Sequence, residues 1–478
     1  MRRSGLVCGA LTLALSAVPV LAASAGEIPI DVRRLSDRVL VLTDPTLGGN
    51  NVVALASSRG LVVVDTSGAP PIAARIRAEI ESAFGRKDFA FVVNTHEDFD
   101  HVSGNQVFAD ATLVGHERCR AALQSFKARS EAVVEDRIAW QRQHLANTTE
   151  RLSGLVPGSD DEVEARRSIA RSEALIELMA EGVEFTPPAV TFNDTMSLDL
   201  GDLTVNLIFF GSAHSRSDTL VHVPEEGLLM TGDLFSEGVP GFNVGEAQTL
   251  DVPRCLQVLD SVLAPEAHVS RVVLGHRDIW PRAMLETRVE CARAVWDGVR
   301  RAWFEGLGLE ATLQSLPLES TCPGVPSDER SNARLEGQHA EMVRVFRRQL
   351  QSSAAAAVDE ALRAGGTDRA RMVYEKAKLD PKEAFFIDEN QFNALGYQLL
   401  QAGSVDEAIT VFAFNADAFP ESWNAWDSLG EAYMTRGDRA RAIECYRASL
   451  QRNPDNRNGG TILERLTAEE AAARQPTQ

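Results

Sequence analysis

Four side chains able to hold a metal ion crowd into one short segment, Thr95-His96-Glu97-Asp98-Phe99-Asp100-His101: they are His96, Asp98, Asp100 and His101. His214, Asp233 and His276 follow downstream, and the seven read together as a two-metal cage. Imidazole nitrogen and carboxylate oxygen suit divalent ions such as zinc at open, reactive sites. The segment directly follows the apolar run Phe91-Val92-Val93. That places the first four donors at the end of a strand, where sites in mixed sheets are built.

The flanking sequence supplies the elements that must position these groups. Short strands are expected over Val39–Thr43, Asn51–Ala56 and Leu61–Asp65, separated by Gly48-Gly49 and by Ser57 to Gly60. A helix over Ile72–Phe84 and a strand over Phe89–Val93 lead into the donor loop, the alternation of an α/β body. Strands resume at Ala189–Phe192, Leu203–Phe209, Leu220–Val223 and Leu228–Thr231, the last running into Gly232-Asp233. A helix over Val252–Leu263 and a strand over Arg271–Leu274 then deliver Gly275-His276. Helices are expected over Met284–Phe304 and Asn332–Gln349.

Between Cys119 and Glu181 the sequence is long, charged and helical, broken once at Gly154 to Asp160, as in a helical hairpin. Val134, Ile138, Leu145 and Leu152 on one arm, and Val163, Ile169, Ile176 and Met179 on the other, recur at near-helical spacing and are expected to zip the arms together. Such an insertion serves either as a lid or as surface decoration. The C-terminal part repeats with a period of 34: Leu395, Gly396, Gly403, Ala408, Phe412 and Pro420 correspond to Leu429, Gly430, Gly437, Ala442, Tyr446 and Pro454. This pattern resembles tetratricopeptide repeats, with a degenerate earlier copy over Gly366–Pro381. The resemblance implies a short helical solenoid, which binds a peptide or protein partner or serves packing and homodimerisation.

A chain of 478 residues exceeds what one hydrophobic core serves, so two or three domains are expected. Met1-Arg2-Arg3, an apolar stretch through Leu21 and the small residues Ala23-Ser24-Ala25 form a secretory signal, with cleavage expected after Ala25 and a periplasmic or secreted destination. No later apolar run approaches the ~20 residues of a membrane span, so stable membrane insertion is not expected. Removing Arg2 and Arg3 with that segment moves the formal charge from -20 to -22. A body this acidic repels phosphate backbones, which argues against nucleic acid as a partner. The cysteines beyond the signal, Cys119, Cys255, Cys291, Cys322 and Cys445, are scattered and odd in number. Buried thiols are the preferred reading, and the sequence does not choose a pair for any disulfide.

The contexts Gly211-Ser212-Ala213-His214-Ser215-Arg216-Ser217-Asp218, Thr231-Gly232-Asp233 and Leu274-Gly275-His276, taken with the first loop, resemble the metallo-β-lactamase superfamily as far as about residue 305. That resemblance implies an αββα sandwich followed by the all-α repeats. The expected segments are a signal over 1–25, a catalytic domain over 26–305 with its helical insertion at about 119–182, a helical linker over 306–365, repeats over 366–465 and a disordered tail over 466–478. It further implies that His96, Asp98 and His214 hold one metal, that Asp100, His101 and His276 hold a second, and that Asp233 bridges them. Two divalent ions about 3.5 to 4 Å apart share a hydroxide and polarise a substrate oxygen. Asp100 would orient the attacking hydroxide. The expected activity is hydrolysis of an ester, thioester, lactone, lactam or related bond in a small-molecule substrate.

Asp98 departs from the family pattern, which has a second His there. An Asp oxygen lies as many bonds from Cα as a His Nδ1, so ligation survives the change. The charge does not, because three carboxylates and a hydroxide cancel two divalent ions and weaken their Lewis acidity. Zinc is the first expectation. The harder ligand also tilts the site toward iron or manganese, which keeps a di-iron or mono-iron redox enzyme as the alternative, beside a metal-poor binding protein acting through its repeats. His116, His144, His222, His268 and His339 are read as ordinary surface or core histidines, and Asp65 and Asp218 as supports for ligand loops.

Overall fold

A computed structural model describes residues 30–44, 49–180, 182–245, 250–325, 332–380 and 382–473. The expected signal segment lies outside them. The described chain divides into two compact units. The first holds the residues up to Arg288 apart from Leu250–Val252, and the second holds those from Val289 onward.

The first unit contains two sheets. One runs in the order β1 (Asp31–Arg34), β2 (Val39–Thr43), β3 (Asn51–Ser57), β4 (Gly60–Val64), β5 (Phe89–Val93), β6 (Thr112–His116) and β7 (Val190–Phe192). The other comprises β8 (Thr195–Asp199), β9 (Thr204–Gly211), β10 (Asp218–Val223), β11 (Leu228–Met230), β12 (Arg271–Val273) and β13 (Ile279–Pro281), ordered in space from β13 back to β8. Alternate residues of each strand face opposite sides, so a strand covered on both sides is apolar throughout. In the first sheet Val39, Val41, Val53, Leu55, Val62 and Val64 join a core with Val205, Leu207, Val221, Val223, Met230 and Val273 of the second. Their neighbours Leu40, Leu42, Val52, Ala54, Leu61 and Val63 join a separate core with helices. Those helices are α1 (Pro70–Phe84), the short α2 (Phe99–Val102), α3 (Glu117–Ala128), α4 (Ser130–Leu152) and α5 (Asp160–Ala180). On the second sheet, α6 (Val252–Val262) brings Cys255 Sγ to the Phe210 carbonyl at 3.5 Å. This is the expected αββα arrangement.

Strands β1, β6, β8 and β13 were not foreseen. β1 reads Asp-Val-Arg-Arg, β6 carries Gly115, and β13 ends in Pro281 at a sheet edge, while β8 alternates as Thr-Met-Ser-Leu-Asp but is short and exposed at every second residue. The hairpin breaks near the expected place, between α4 and α5, and its arms pack together as expected. Val134 and Ile138 of α4 pack against the core that holds Leu175, Leu178 and Met179 of α5, and Gln141 Nε2 donates to Ser172 Oγ at 2.7 Å between the arms, while Val163 is exposed. The same core includes α1 and the first sheet, so the hairpin is anchored on the body.

The second unit takes in the part of α7 (Arg282–Phe304) from Val289, then α8 (Leu309–Ser315), α9 (Leu318–Thr321) and α10 (Asn332–Arg348). Leu335, His339, Met342 and Phe346 are buried, with Phe346 edge-on to Trp296 of α7, so this stretch of the expected linker is packed. Cys291 and Cys322 form a disulfide, which corrects the preferred reading of the five cysteines as buried thiols; Cys119, Cys255 and Cys445 are buried and form no disulfide among the described residues. After β14 (Ser352–Ser353), α11 (Ala354–Leu379) kinks at Gly365-Gly366, and the stretch expected to be an early repeat copy contributes a single helix after that kink. β15 (Phe385–Phe386) pairs with β14. The two registered repeats are the pairs α12 (Glu389–Gln401) with α13 (Val405–Ala418), and α14 (Trp423–Arg436) with α15 (Arg439–Arg452). Their repeated Gly is a packing device: a β-carbon on Gly396 would fall 2.5 Å from the Phe412 ring, and on Gly430 it would fall 3.2 Å from the Tyr446 ring. α16 (Arg457–Ala473) runs into the segment expected to be a disordered tail, because Leu466 packs with Ala442, Ile443 and Tyr446. Among the described residues no helix is long and apolar enough to cross a membrane.

Candidate metal centre

The first donor loop hangs from a carboxylate. Asp65 follows directly on β4, and its φ of 60° is unusual for a residue with a side chain. Its carboxylate accepts from Thr95 N at 2.8 Å, from Thr95 Oγ1 at 2.7 Å and from His101 Nδ1 at 2.9 Å. Thr95 Oγ1, having given its hydrogen to Asp65, accepts from His96 Nδ1 at 2.9 Å. His96 Nε2 is thereby left with a lone pair for a ligand, and His101 Nε2 faces the same centre with Asn50 Nδ2 3.2 Å away. Asp98 stands at the N-cap of α2, where an Asp side chain ordinarily bonds the helix's free N–H groups, yet it makes no such bond. It turns instead to His214 Nε2 at 3.1 Å and lies 3.6 Å from His96 Nε2.

Two buried carboxylates tie down the His214 loop. Asp218 accepts from the backbone N–H of Ala213, His214 and Ser215 and from Ser215 Oγ, at 2.6 to 3.1 Å. Glu97 accepts from Arg216 N at 3.0 Å and from the Ser217 hydroxyl. Glu97 thus joins the first donor loop to the second. Beyond β11, Gly232 takes φ 52° to present Asp233. Thr219 N donates to the Thr95 carbonyl at 2.9 Å, and Asn51 N to the Gly275 carbonyl at 2.7 Å, stitching the ends of the two sheets around the centre.

All seven sequence-predicted residues come together. Donor atoms of His96, Asp98 and His214 lie within 4.8 Å of one another, as do those of Asp100, His101 and His276, and those of His96, His101 and Asp233. Asp233 reaches both halves: its Oδ2 is 3.1 Å from His276 Nε2 and 3.6 Å from His214 Nε2, and its Oδ1 is 3.4 Å from His101 Nε2. Asp100 Oδ2 lies 3.3 Å from His276 Nε2 and 3.6 Å from His101 Nε2. The Asp98 side chain is 44% exposed against 13% for Asp100 and Asp233, so it marks the open side.

The donor set fits cations. His96 Nε2 and Asp233 Oδ1 are buried and make no hydrogen bond, an arrangement that is costly unless something else satisfies them. Burial alone would lower the imidazole pKa values, but the carboxylates outweigh it: Asp233 and Asp100 bring His276 up to about 10, and Asp98 and Asp233 bring His96 up to about 9 against both burial and His101. Burial likewise opposes ionisation of Asp98, yet His214 and His96 hold its carboxyl well below the usual range. The pocket is built to attract positive charge.

Other histidines have structural places. His116 bonds the Asn193 carbonyl at 3.0 Å and stacks on Phe209, and His222 bonds the Ala267 carbonyl at 2.8 Å. Asp65 and Asp218 support ligand loops, as read from the sequence. Thr95, Glu97 and Asn243 were missed. Glu97 and Thr95 carried a signal by sitting among the donors, whereas Asn243 lies in an irregular stretch with none.

Residues 45–276 match the family model of the Metallo-beta-lactamase superfamily, and residues 423–456 that of the Tetratricopeptide repeat. The first of these matches ends at His276, the last of the seven donors. A search of curated proteins finds no match. Similar solved structures include a metallo-beta-lactamase from Pontibacter korlensis, at 16% identity over 54% of this chain and 96% of that one, with a TM-score of 0.35. The inverting sec-alkylsulfatase Pisa1 from Pseudomonas sp. aligns at 12% identity over 89% of this chain and 66% of its own length, with a TM-score of 0.46. The DIM-1 metallo-beta-lactamase aligns at 14% identity over 55% and 96%, with a TM-score of 0.37.

Proposed function

We propose that the protein is an exported hydrolase that works with two divalent cations, zinc first, on an ester, thioester, lactone, lactam or related bond of a small molecule. The observation that carries this reading is the convergence of seven imidazole and carboxylate groups with two buried donor atoms left unbonded. His96, Asp98 and His214 would hold one cation, Asp100, His101 and His276 the other, with Asp233 between them. Such cations, when bound, supply Lewis acidity and lower the pKa of water. The chain's own part is to fix the geometry. Asp65, through Thr95 and His101, sets the rings of the first loop. Asp100 would orient the attacking water. Asp98 adds negative charge on the open side, which moderates the electrophilic power of the centre.

Export is supported by the N-terminal pattern and by the Cys291–Cys322 disulfide, a bond that persists in oxidising compartments. The repeats would bind a peptide or protein partner, or pair two copies of the chain. A second reading is favoured by one observation: each half of the centre offers two imidazoles and one carboxylate, the donor set of non-haem iron oxygenases. Elemental analysis of the purified protein, paired with hydrolysis assays on a panel of esters, lactones, thioesters and lactams before and after chelation, tests both readings. Near two zinc per chain with chelator-sensitive hydrolysis is expected. Iron without hydrolysis would favour the redox enzyme, and no metal at all would leave a binding protein.

A further inference from the structure

Between His96 and His101 only Glu97 and Phe99 stand outside the candidate ligand set. Glu97 is bonded to the second donor loop. Phe99 sits between Asp98, in one half of the centre, and Asp100, in the other. Its side chain joins the core that holds Leu175, Leu178 and Met179 of α5, against which Val133, Val134 and Ile138 of α4 also pack. The ring is edge-on to Phe185 with centroids 5.8 Å apart, and Phe185 meets Phe126 of α3 in the same manner at 5.4 Å. From α4 the Arg137 guanidinium lies 5.8 Å from the Phe99 centroid. The segment leaving α5 is bonded to residues just past the donor loop as well. Asn105 Nδ2 donates to the Thr186 carbonyl at 3.1 Å, and Glu184 N to the Gln106 side chain.

The donor loop needs such a hold. α2 is a single turn, too short to be stable through its own hydrogen bonds, and no capping bond fixes Asp98 to it. Ligand atoms serve a cation only when packing locks them to within about 0.5 Å of their places. The hairpin's tip is open to solvent, with Val156 71% exposed, whereas its base carries the contacts to Phe99. That distribution suits a foundation better than a cover. We propose that the helical hairpin is a buttress for the metal centre, and that Phe99 is the positioning residue through which its base holds Asp98 and Asp100 in place. Because the ring lies between one ligand of each half, loosening it slackens both halves together. The proposal rests on the reading of Asp98 and Asp100 as metal ligands.

Cobalt titration of the metal-stripped full chain, followed by visible absorption and calorimetry, tests it beside urea unfolding of the metal-free protein. Phe99→Ala should bind cobalt about tenfold more weakly in both halves, and Phe99→Leu, which refills most of the space, should recover most of that affinity. Ile80→Ala opens a cavity in the same core, toward the C-terminal end of α1, and serves as the control. It should lower the urea midpoint and leave cobalt binding unchanged. Phe185→Leu removes the edge contact from the hairpin's side with the donor loop's own sequence intact. It should weaken both halves several-fold, and it decides the matter should Phe99→Ala fail to fold. Cobalt affinity at the wild-type level in Phe99→Ala or in Phe185→Leu, a loss confined to one half, or an equal loss in Ile80→Ala would overturn the proposal. Failure of the wild type to bind cobalt at all would instead sink the metal-dependent reading.

Discussion

Gly275 lies directly against the carboxylate of Asp233: a β-carbon at residue 275 would fall 1.9 Å from Asp233 Oδ1. The dipeptide Gly275-His276 therefore does two jobs, delivering His276 and leaving room for the carboxylate between the two halves. Gly275→Ala should displace Asp233 and lower metal content by at least one ion per chain, with hydrolysis falling about 100-fold. Elemental analysis beside rate measurements checks this, and a fully loaded, active variant would show that Asp233 needs no such clearance.

Asp98→His replaces a charged oxygen donor by a neutral nitrogen donor at a position 44% open to solvent. Zinc occupancy and hydrolytic rate should both rise, by about tenfold in affinity. A large loss of activity with zinc retained would mean that the carboxylate is tuned for a different reaction.

His339 is buried in α10, its Nε2 makes no hydrogen bond, and burial pushes its pKa down to about 4. Its ordinary value is 6.5, so the unfolded chain takes up the proton first as pH falls. The contribution of the neutral ring to stability is fully present above the ordinary value and is lost between there and about 4. Urea midpoints of the wild type should therefore drop across that window, by on the order of 2 kcal/mol from this group. His339→Leu should flatten the acid limb, and an unchanged slope would remove His339 from the account.

Reducing the Cys291–Cys322 bond opens a loop with a sequence separation of 31. Loop-closure entropy of that size is worth about 3 to 4 kcal/mol. Thermal melts with and without reductant should show one transition move down while metal content stays constant. Loss of metal on reduction would show that the bond does more than stabilise its own unit.

The donors of the candidate centre were legible because their chemistry is scarce. His, Asp and Gly at strand ends stand out against apolar runs, such as Val-Leu-Val-Leu in β2, Phe-Ala-Phe-Val-Val in β5 and Val-Val in β12. The supports were legible only where they neighboured a donor. Asn243 reaches His214 from a stretch without helix or strand, and no periodicity predicts such a meeting. The Cys291–Cys322 pair was equally silent, since spacing along the chain says nothing about which of five thiols approach. Val134 and Ile138 were legible because helical spacing marks the face of α4 that meets Met179 and its neighbours on α5, whereas nothing in that spacing foretold that Val163 would be exposed.

The first sheet, finally, sorts its side chains between two layers by parity alone, with Val53 and Leu55 going one way and Val52 and Ala54 the other. Sliding β3 by a single residue would exchange both sets and unseat Asn50 and Asn51, which connect to His101 and Leu274. The tight turn to β4, closed by Ser57 Oγ on the Gly60 carbonyl at 2.7 Å, is what forbids that slip. A turn at the far end of a strand thus acts as the ratchet that keeps the reactive end in alignment.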